Sequence, residues 1–153
     1  MACVVTVSGE DREMSIDFGD INYLAVVVAV VVNMAAGALW YSPVLFAKPW
    51  SALTGITDEY VREHRRETYR GYAIAVGASI VISLALAVLI QLAGVSTLVD
   101  GVMTGLMAGI GFVATTQAAT YAFHNRPLKL YLIDVGYPVV AFAILGALLG
   151  AWQ

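Results

Sequence analysis

Charge is scarce. Asp, Glu, Lys and Arg make up 12% of the 153 residues, against 60% hydrophobic, whereas a soluble domain carries about 25% charge. A chain this size in water must still cover itself with polar surface, so the deficit excludes an ordinary soluble globule. Basic residues are fewer than acidic ones, for a net charge of −3. The clustered positive surface that grips nucleic acid is missing, and no nucleic-acid partner is expected. Cysteine is nearly absent. Cys3 stands alone, which excludes a disulfide framework and a cysteine-based metal site. The two histidines, His64 and His124, are too few to suggest metal ligation. Neither a metal nor a cofactor is expected.

What fills the chain instead is long apolar runs, with a mean hydropathy of +0.81. A helix rises ~1.5 Å per residue, so a ~30 Å hydrocarbon core needs about 20 apolar residues. Four stretches qualify: 21–40, 72–93, 101–123 and 128–152. They are too continuous for barrel strands, and in lipid only a helix or a closed barrel satisfies its own backbone. The expected fold class is therefore an all-α membrane protein, a four-transmembrane-helix bundle forming one domain over 20–153. Residues 1–19 read as an acidic, disordered tail. Glu10, Asp11, Glu13, Asp17 and Asp20 precede the first run, opposite in sign to a secretory signal, so that run reads as retained. Met14 is a candidate true start.

Seven of the eight basic residues fall in two loops: Lys48, Arg62, Arg65, Arg66 and Arg70 in loop 41–71, and Arg126 with Lys129 around 124–127. By the positive-inside rule both loops are cytoplasmic and both termini outside, in a multi-pass cell-membrane protein. Trp40, Tyr41 and Trp50 read as interfacial anchors. Pro43 and Pro49 are expected to break helix, leaving 41–50 along the interface. Thr57-Asp58-Glu59 reads as the start of a charged juxtamembrane helix. Either that helix is simply solvated, or it meets lipid headgroups or a partner, with Glu63 and Glu67 diluting its basic charge.

The second and fourth runs share Tyr72-Ala-Ile74-Ala-Val76-Gly77 and Tyr131-Leu-Ile133-Asp-Val135-Gly136. Two hairpins repeated in parallel would explain this. Chance would too, in helices made of Ala, Val, Leu and Gly. Gly101, Gly105 and Gly109 recur every four residues, as do Gly146 and Gly150, marking faces for close packing within the bundle or in a homo-oligomer. Gly136 and Pro138 are expected to kink the fourth helix.

The polar exceptions fall at one depth. Asn33, Ser79, Gln117 and Asp134 each lie about six or seven residues, hence ~10 Å, from the basic end of their helix. Asp134 is the costliest, at about 2.5–3.5 kcal/mol on insertion scales. It should face the bundle: protonated, it can donate to Asn33 or Gln117, and ionised, it needs a cation or water. Thr115, Thr116, Thr120, Tyr121 and Tyr137 are candidate extensions of the network, and His124 a candidate proton relay. An intramembrane acid marks an ion or proton path in many proteins. It also serves as plain hydrogen-bonded glue between helices.

Gly37-Ala-Leu-Trp-Tyr-Ser-Pro43 with Phe46 and Lys48-Pro-Trp50, Gly111-Phe-Val-Ala-Thr-Thr116, and Arg126-Pro-Leu-Lys-Leu130 through Gly136-Tyr137 resemble an uncharacterised bacterial and archaeal membrane family, catalogued as domain of unknown function 1761. The likeness runs from about Asp20 onward. It implies one domain and a start at Met14, and brings no activity, ligand or catalytic residue with it. The leading functional expectation is a structural or accessory membrane component, not an enzyme, with the bilayer as partner. The alternative is a small oligomeric channel or proton-linked transporter, carrying a small solute or protons past Asp134. A membrane enzyme ranks last, because the sequence offers no paired carboxylates and no nucleophile beside a base.

Overall fold

The computed structural model describes residues 18–152. The tail 1–17, and with it the candidate start at Met14, lies outside the described residues.

Among the described residues, seven α-helices run in chain order. Asn22 caps α1 (Tyr23–Trp40), its side chain accepting from Ala25 N at 3.0 Å. After a turn through Pro43 comes the short α2 (Ala47–Thr54), closed by Gly55 at φ 75°, a left-handed conformation that suits glycine. Thr57 caps α3 (Asp58–Glu63), whose first turn carries Asp58 and Glu59, as the positive end of a helix prefers. His64 then separates α3 from α4 (Arg65–Leu92). Thr97 caps α5 (Leu98–Ala108), which passes through a π-helical turn, Gly109–Ala114, into α6 (Thr115–Phe123). Asn125, at φ 49°, turns the chain into α7 (Leu128–Ala151).

Among the described residues, four helical rods are long and apolar enough to cross a membrane: Tyr23–Trp40, Arg65–Leu92, Leu98–Phe123 and Leu128–Ala151. All four expected spans appear, with two local differences. The charged juxtamembrane segment is not one separate helix, because α4 begins at Arg65, seven residues before the apolar run. Arg and Glu are good helix formers, so hydropathy marks where the run becomes apolar and not where the helix starts. Pro49 does not break helix. It sits in the first turn of α2, where a missing N–H costs nothing.

The rods alternate in direction. One end of the bundle, here the terminal end, gathers Asp20, Ile21, Asn22, Gln91 and Trp152 around a cavity of about 210 Å³. The opposite, basic end carries the two loops with Lys and Arg. The fourth rod, α7, is central and packs on α1, α4, α5 and the π-turn. Its closest neighbour is α5. A side chain at Gly101 or Gly146 would run into the other's carbonyl oxygen, and one at Gly105 into that of Phe142. The glycine periodicity thus serves contact inside the bundle. Ile21, Ala25, Val26, Ala29, Leu86, Ile90, Val95, Leu145 and Leu149 form the apolar core. That core lies toward the terminal end. Helix α7 continues through Pro138, whose ring nitrogen cannot donate to the carbonyl of Asp134 one turn earlier.

Candidate functional site

Polar groups gather in the half of the bundle nearer the basic end, in two linked clusters. The inner one is centred on Asn33, which is 6% exposed. Its Nδ2 donates to Ser79 Oγ at 2.9 Å, joining α1 to α4. Tyr137 OH donates to Asn33 Oδ1 at 3.0 Å, joining α7 to the same residue. One side-chain amide therefore ties three helices, using both its donor and its acceptor. Gly37 makes room for this: a Cβ there would meet Tyr137 OH at 3.1 Å. Ser83, one turn along α4 from Ser79, is fully buried, and its Oγ has no hydrogen-bond partner among the described residues.

The outer cluster is centred on Asp134. Trp50 Nε1 donates to Oδ1 at 2.9 Å, and Tyr41 OH reaches the same oxygen at 3.3 Å. Tyr121 OH donates to Oδ2. The three donors come from the turn after α1, from α2 and from α6, while the acceptor is on α7. Alongside, Trp40 Nε1 donates to the carbonyl of Ile133 at 3.0 Å. The Trp40 ring lies so close to Gly136 that a Cβ there would stand 2.8 Å from it. Trp40 also packs on Phe46, with ring centroids 4.6 Å apart. Segment 40–54 is thus fastened to α7 by two indole N–H groups, a phenol and ring contacts. Indole and phenol are donors with large apolar bodies, which suits them to reach a carboxylate from an apolar boundary.

Edge-on contact between Tyr41 and Tyr137, with centroids 5.8 Å apart, joins the two clusters. Burial, and then the neighbouring Asp134 charge, pushes the Tyr41 hydroxyl above its ordinary ionisation range. Tyr41 therefore remains a proton donor to the carboxylate at neutral pH.

The residues singled out from sequence fare differently. Asn33, Ser79 and Tyr137 come together, and Asp134 sits beside them. Asp134 meets neither Asn33 nor Gln117, the partners open to a protonated carboxyl, and accepts from Tyr41, Trp50 and Tyr121 instead. Gln117 is half-buried on α6, and α6 packs on α7 rather than on α1 or α4. Depth along a helix fixes height and leaves direction around the axis open, which is why Gln117 does not join. Thr115, Thr116 and Thr120 bond to carbonyls of their own helix, four residues back. That is the local back-bonding usual for threonine in a helix. His124 is exposed, and its Nδ1 lies 2.7 Å from the Thr120 carbonyl. Two cavities, about 200 and 260 Å³, open beside these residues, and Tyr121 and Arg126 line both. Trp50 and Tyr41, interfacial anchors by their position in sequence, are donors to Asp134. Their polar edges turn inward: a buried carboxylate needs N–H or O–H partners, and the stretch 40–50 is rich in them.

A family model matches residues 24–150, most of the chain and every member of both clusters. The chain belongs to the family described as protein of unknown function (DUF1761). No curated protein and no solved structure matches it. The DUF1761 description carries no activity, so the reading of the site rests on its geometry. In that geometry a carboxylate accepts three neutral donors, and an amide bridges three helices. Among the described residues no group of three or more His, Cys, Asp or Glu side chains is arranged to hold a metal ion.

Proposed function

We propose that this DUF1761 protein is a multi-pass cell-membrane protein with a structural or accessory role, in which Asp134 fastens the segment after the first span to the fourth. Membrane insertion is supported by four rods of sufficient length and apolarity. It is also supported by large apolar side chains on the outside of the bundle, among them Leu24, Val31, Ile74, Phe112 and Leu132. Water would penalise such a surface, whereas lipid tails match it. The charge asymmetry of the loops supports a cytoplasmic position for 41–71 and 124–127, with both termini outside. The bilayer is then the principal partner.

One observation carries the structural role: donors from three parts of the chain converge on a single carboxylate. Each of Tyr41, Trp50 and Tyr121 presents its one polar hydrogen to Asp134. Such an arrangement holds elements together and offers no nucleophile beside a base, which disfavours an enzyme. A second reading, proton-linked transport in a homo-oligomer, draws on the two cavities at Tyr121. Tyr121, whose hydroxyl donates to Asp134, lines both, His124 lines the larger, and Asp134 lines neither of them.

Purified protein in proteoliposomes separates the two readings. The structural role predicts no pH-gradient-driven flux above that of empty vesicles, together with a marked loss of thermal stability in Asp134→Ala. A proton-coupled flux that Asp134→Asn abolishes while the protein stays folded would replace the structural reading with the transport one.

A further inference from the structure

Outside the two clusters, the elbow between α3 and α4 combines a cavity with concentrated charge. His64 makes the bend at φ −106° and ψ 44°. Its ring stacks on Tyr60 with centroids 4.1 Å apart, and Thr68 Oγ1 donates back to its carbonyl at 3.0 Å. Both arms of the bend are therefore held by side chains. Beside the bend is a cavity of about 220 Å³, lined by Val61, Arg62, Arg65, Thr68, Tyr69 and Tyr72. Arg65, Thr68, Tyr69 and Tyr72 are spaced three, four and seven residues apart, so they share one face of α4. Arg62 is brought to that face from α3 by the bend.

The charge there is one-sided. The segment also holds Asp58, Glu59, Glu63 and Glu67, and none of these lines the cavity. The acids interspersed along the sequence therefore leave the lining itself with two arginines as its charged groups. Arg62 Nε donates to the carbonyl of Asp58 at 3.2 Å, which leaves the outer edge of its guanidinium for another acceptor. Beyond the arginines the face becomes amphipathic and then apolar. Tyr69 and Tyr72 are 69% and 61% exposed, and Val76 and Ile80 extend the same line at 41% and 44%.

We propose that the α3–α4 elbow binds an anionic phospholipid, with Arg62 and Arg65 on its phosphate and an acyl chain along Tyr72, Val76 and Ile80. The site rests on the membrane reading given above. Guanidinium groups match phosphate oxygens with two parallel N–H donors each. Tyrosines at headgroup depth supply an apolar ring and a polar tip. Basic side chains next to a span favour anionic over zwitterionic lipid.

The test is native mass spectrometry of the full chain in detergent, titrated with phosphatidylglycerol or with phosphatidylcholine of the same acyl chains. Wild type is expected to prefer phosphatidylglycerol. Arg62→Gln with Arg65→Gln should lose about 30-fold in that preference, from the usual contribution of two basic residues at an anionic surface. Arg62→Lys with Arg65→Lys should lose less, since lysine keeps the charge without the fork. Arg66→Gln with Arg70→Gln, whose residues lie off the cavity, should leave the preference in place. Equal binding of both lipids, or an equal loss in the off-cavity pair, would overturn the proposal. Displacement of the lipid by soluble glycerol phosphate would overturn it as well, by showing a site for free phosphoesters. Carbonate extraction of wild-type protein from cell membranes tests insertion separately, so a failed lipid preference and a failed membrane reading give different results.

Discussion

The two ends of the bundle are held by different means. At the terminal end, α5 and α7 meet backbone to backbone through Gly101, Gly105, Gly146 and Gly150, above an apolar core in which Leu86, Ile90 and Leu145 are almost completely buried. At the basic end the helices separate. Residues 71–78 of α4 are exposed on every face, and most of α6 is exposed as well. What holds the structure there is polar: Asn33 between three helices, and Asp134 between α7, α6 and the segment 41–50. Close approach gives dispersion contacts that reach their full strength only with small residues. Where the helices diverge, long side chains with polar tips can still span the gap. The lesson is that one fold uses contact where it is narrow and hydrogen bonds where it is open.

The sharpest way to break this contrast is at the terminal end. Gly146→Val places a side chain against the Gly101 carbonyl, which belongs to backbone and cannot step aside. A loss of about 3 kcal/mol is expected, read by thermal unfolding in detergent. The same substitution at Gly77, where a Cβ meets nothing within 4 Å, should be close to neutral.

At the basic end, Asp134→Ala leaves Trp50, Tyr41 and Tyr121 without their acceptor, for about 2 kcal/mol. Asp134→Asn keeps an acceptor oxygen and should cost roughly half of that. A smaller effect, about 1 kcal/mol, is expected for Asn33→Ala, in the range of interhelical hydrogen bonds in membranes. Smallest of all is Thr116→Val, within about 0.5 kcal/mol, because that hydroxyl serves only its own helix. If Thr116→Val matched Asn33→Ala, the distinction between bridging and local polar groups would fail.

Alkaline pH gives a further test of the Tyr41 contact. Its ionisation is shifted upward in the folded protein, so the unfolded chain would lose the proton first. The stability this contributes is complete below the ordinary tyrosine value, about 10. It falls as pH rises from there through the folded value, and Tyr41→Phe should blunt that fall.

The four rods were legible because a long apolar run is a direct physical requirement for a helix that crosses a bilayer. The early start of α4 was hidden because Arg65–Arg70 is charged and yet helical. The π-turn at Gly109–Ala114 was hidden because one shifted hydrogen-bond register leaves no mark in hydropathy. Within the site, Asp134 stood out as a lone acid in an apolar run, and Asn33 with Ser79 through their shared depth. Gln117 has that depth too and points elsewhere on the bundle. Trp50 was the least legible. An aromatic ring near the end of a span anchors to headgroups so regularly that sequence position does not reveal an inward indole N–H, although that N–H bonds to Asp134 at 2.9 Å.

The central claim is that Asp134 holds segment 41–54 to α7 through Trp50. A double-mutant cycle of Trp50→Phe and Asp134→Asn, followed by unfolding in detergent, tests it most directly. The account predicts that the two losses are not additive, with a coupling of about 1 kcal/mol. Full additivity, with each change costing the same in the presence of the other, would contradict it.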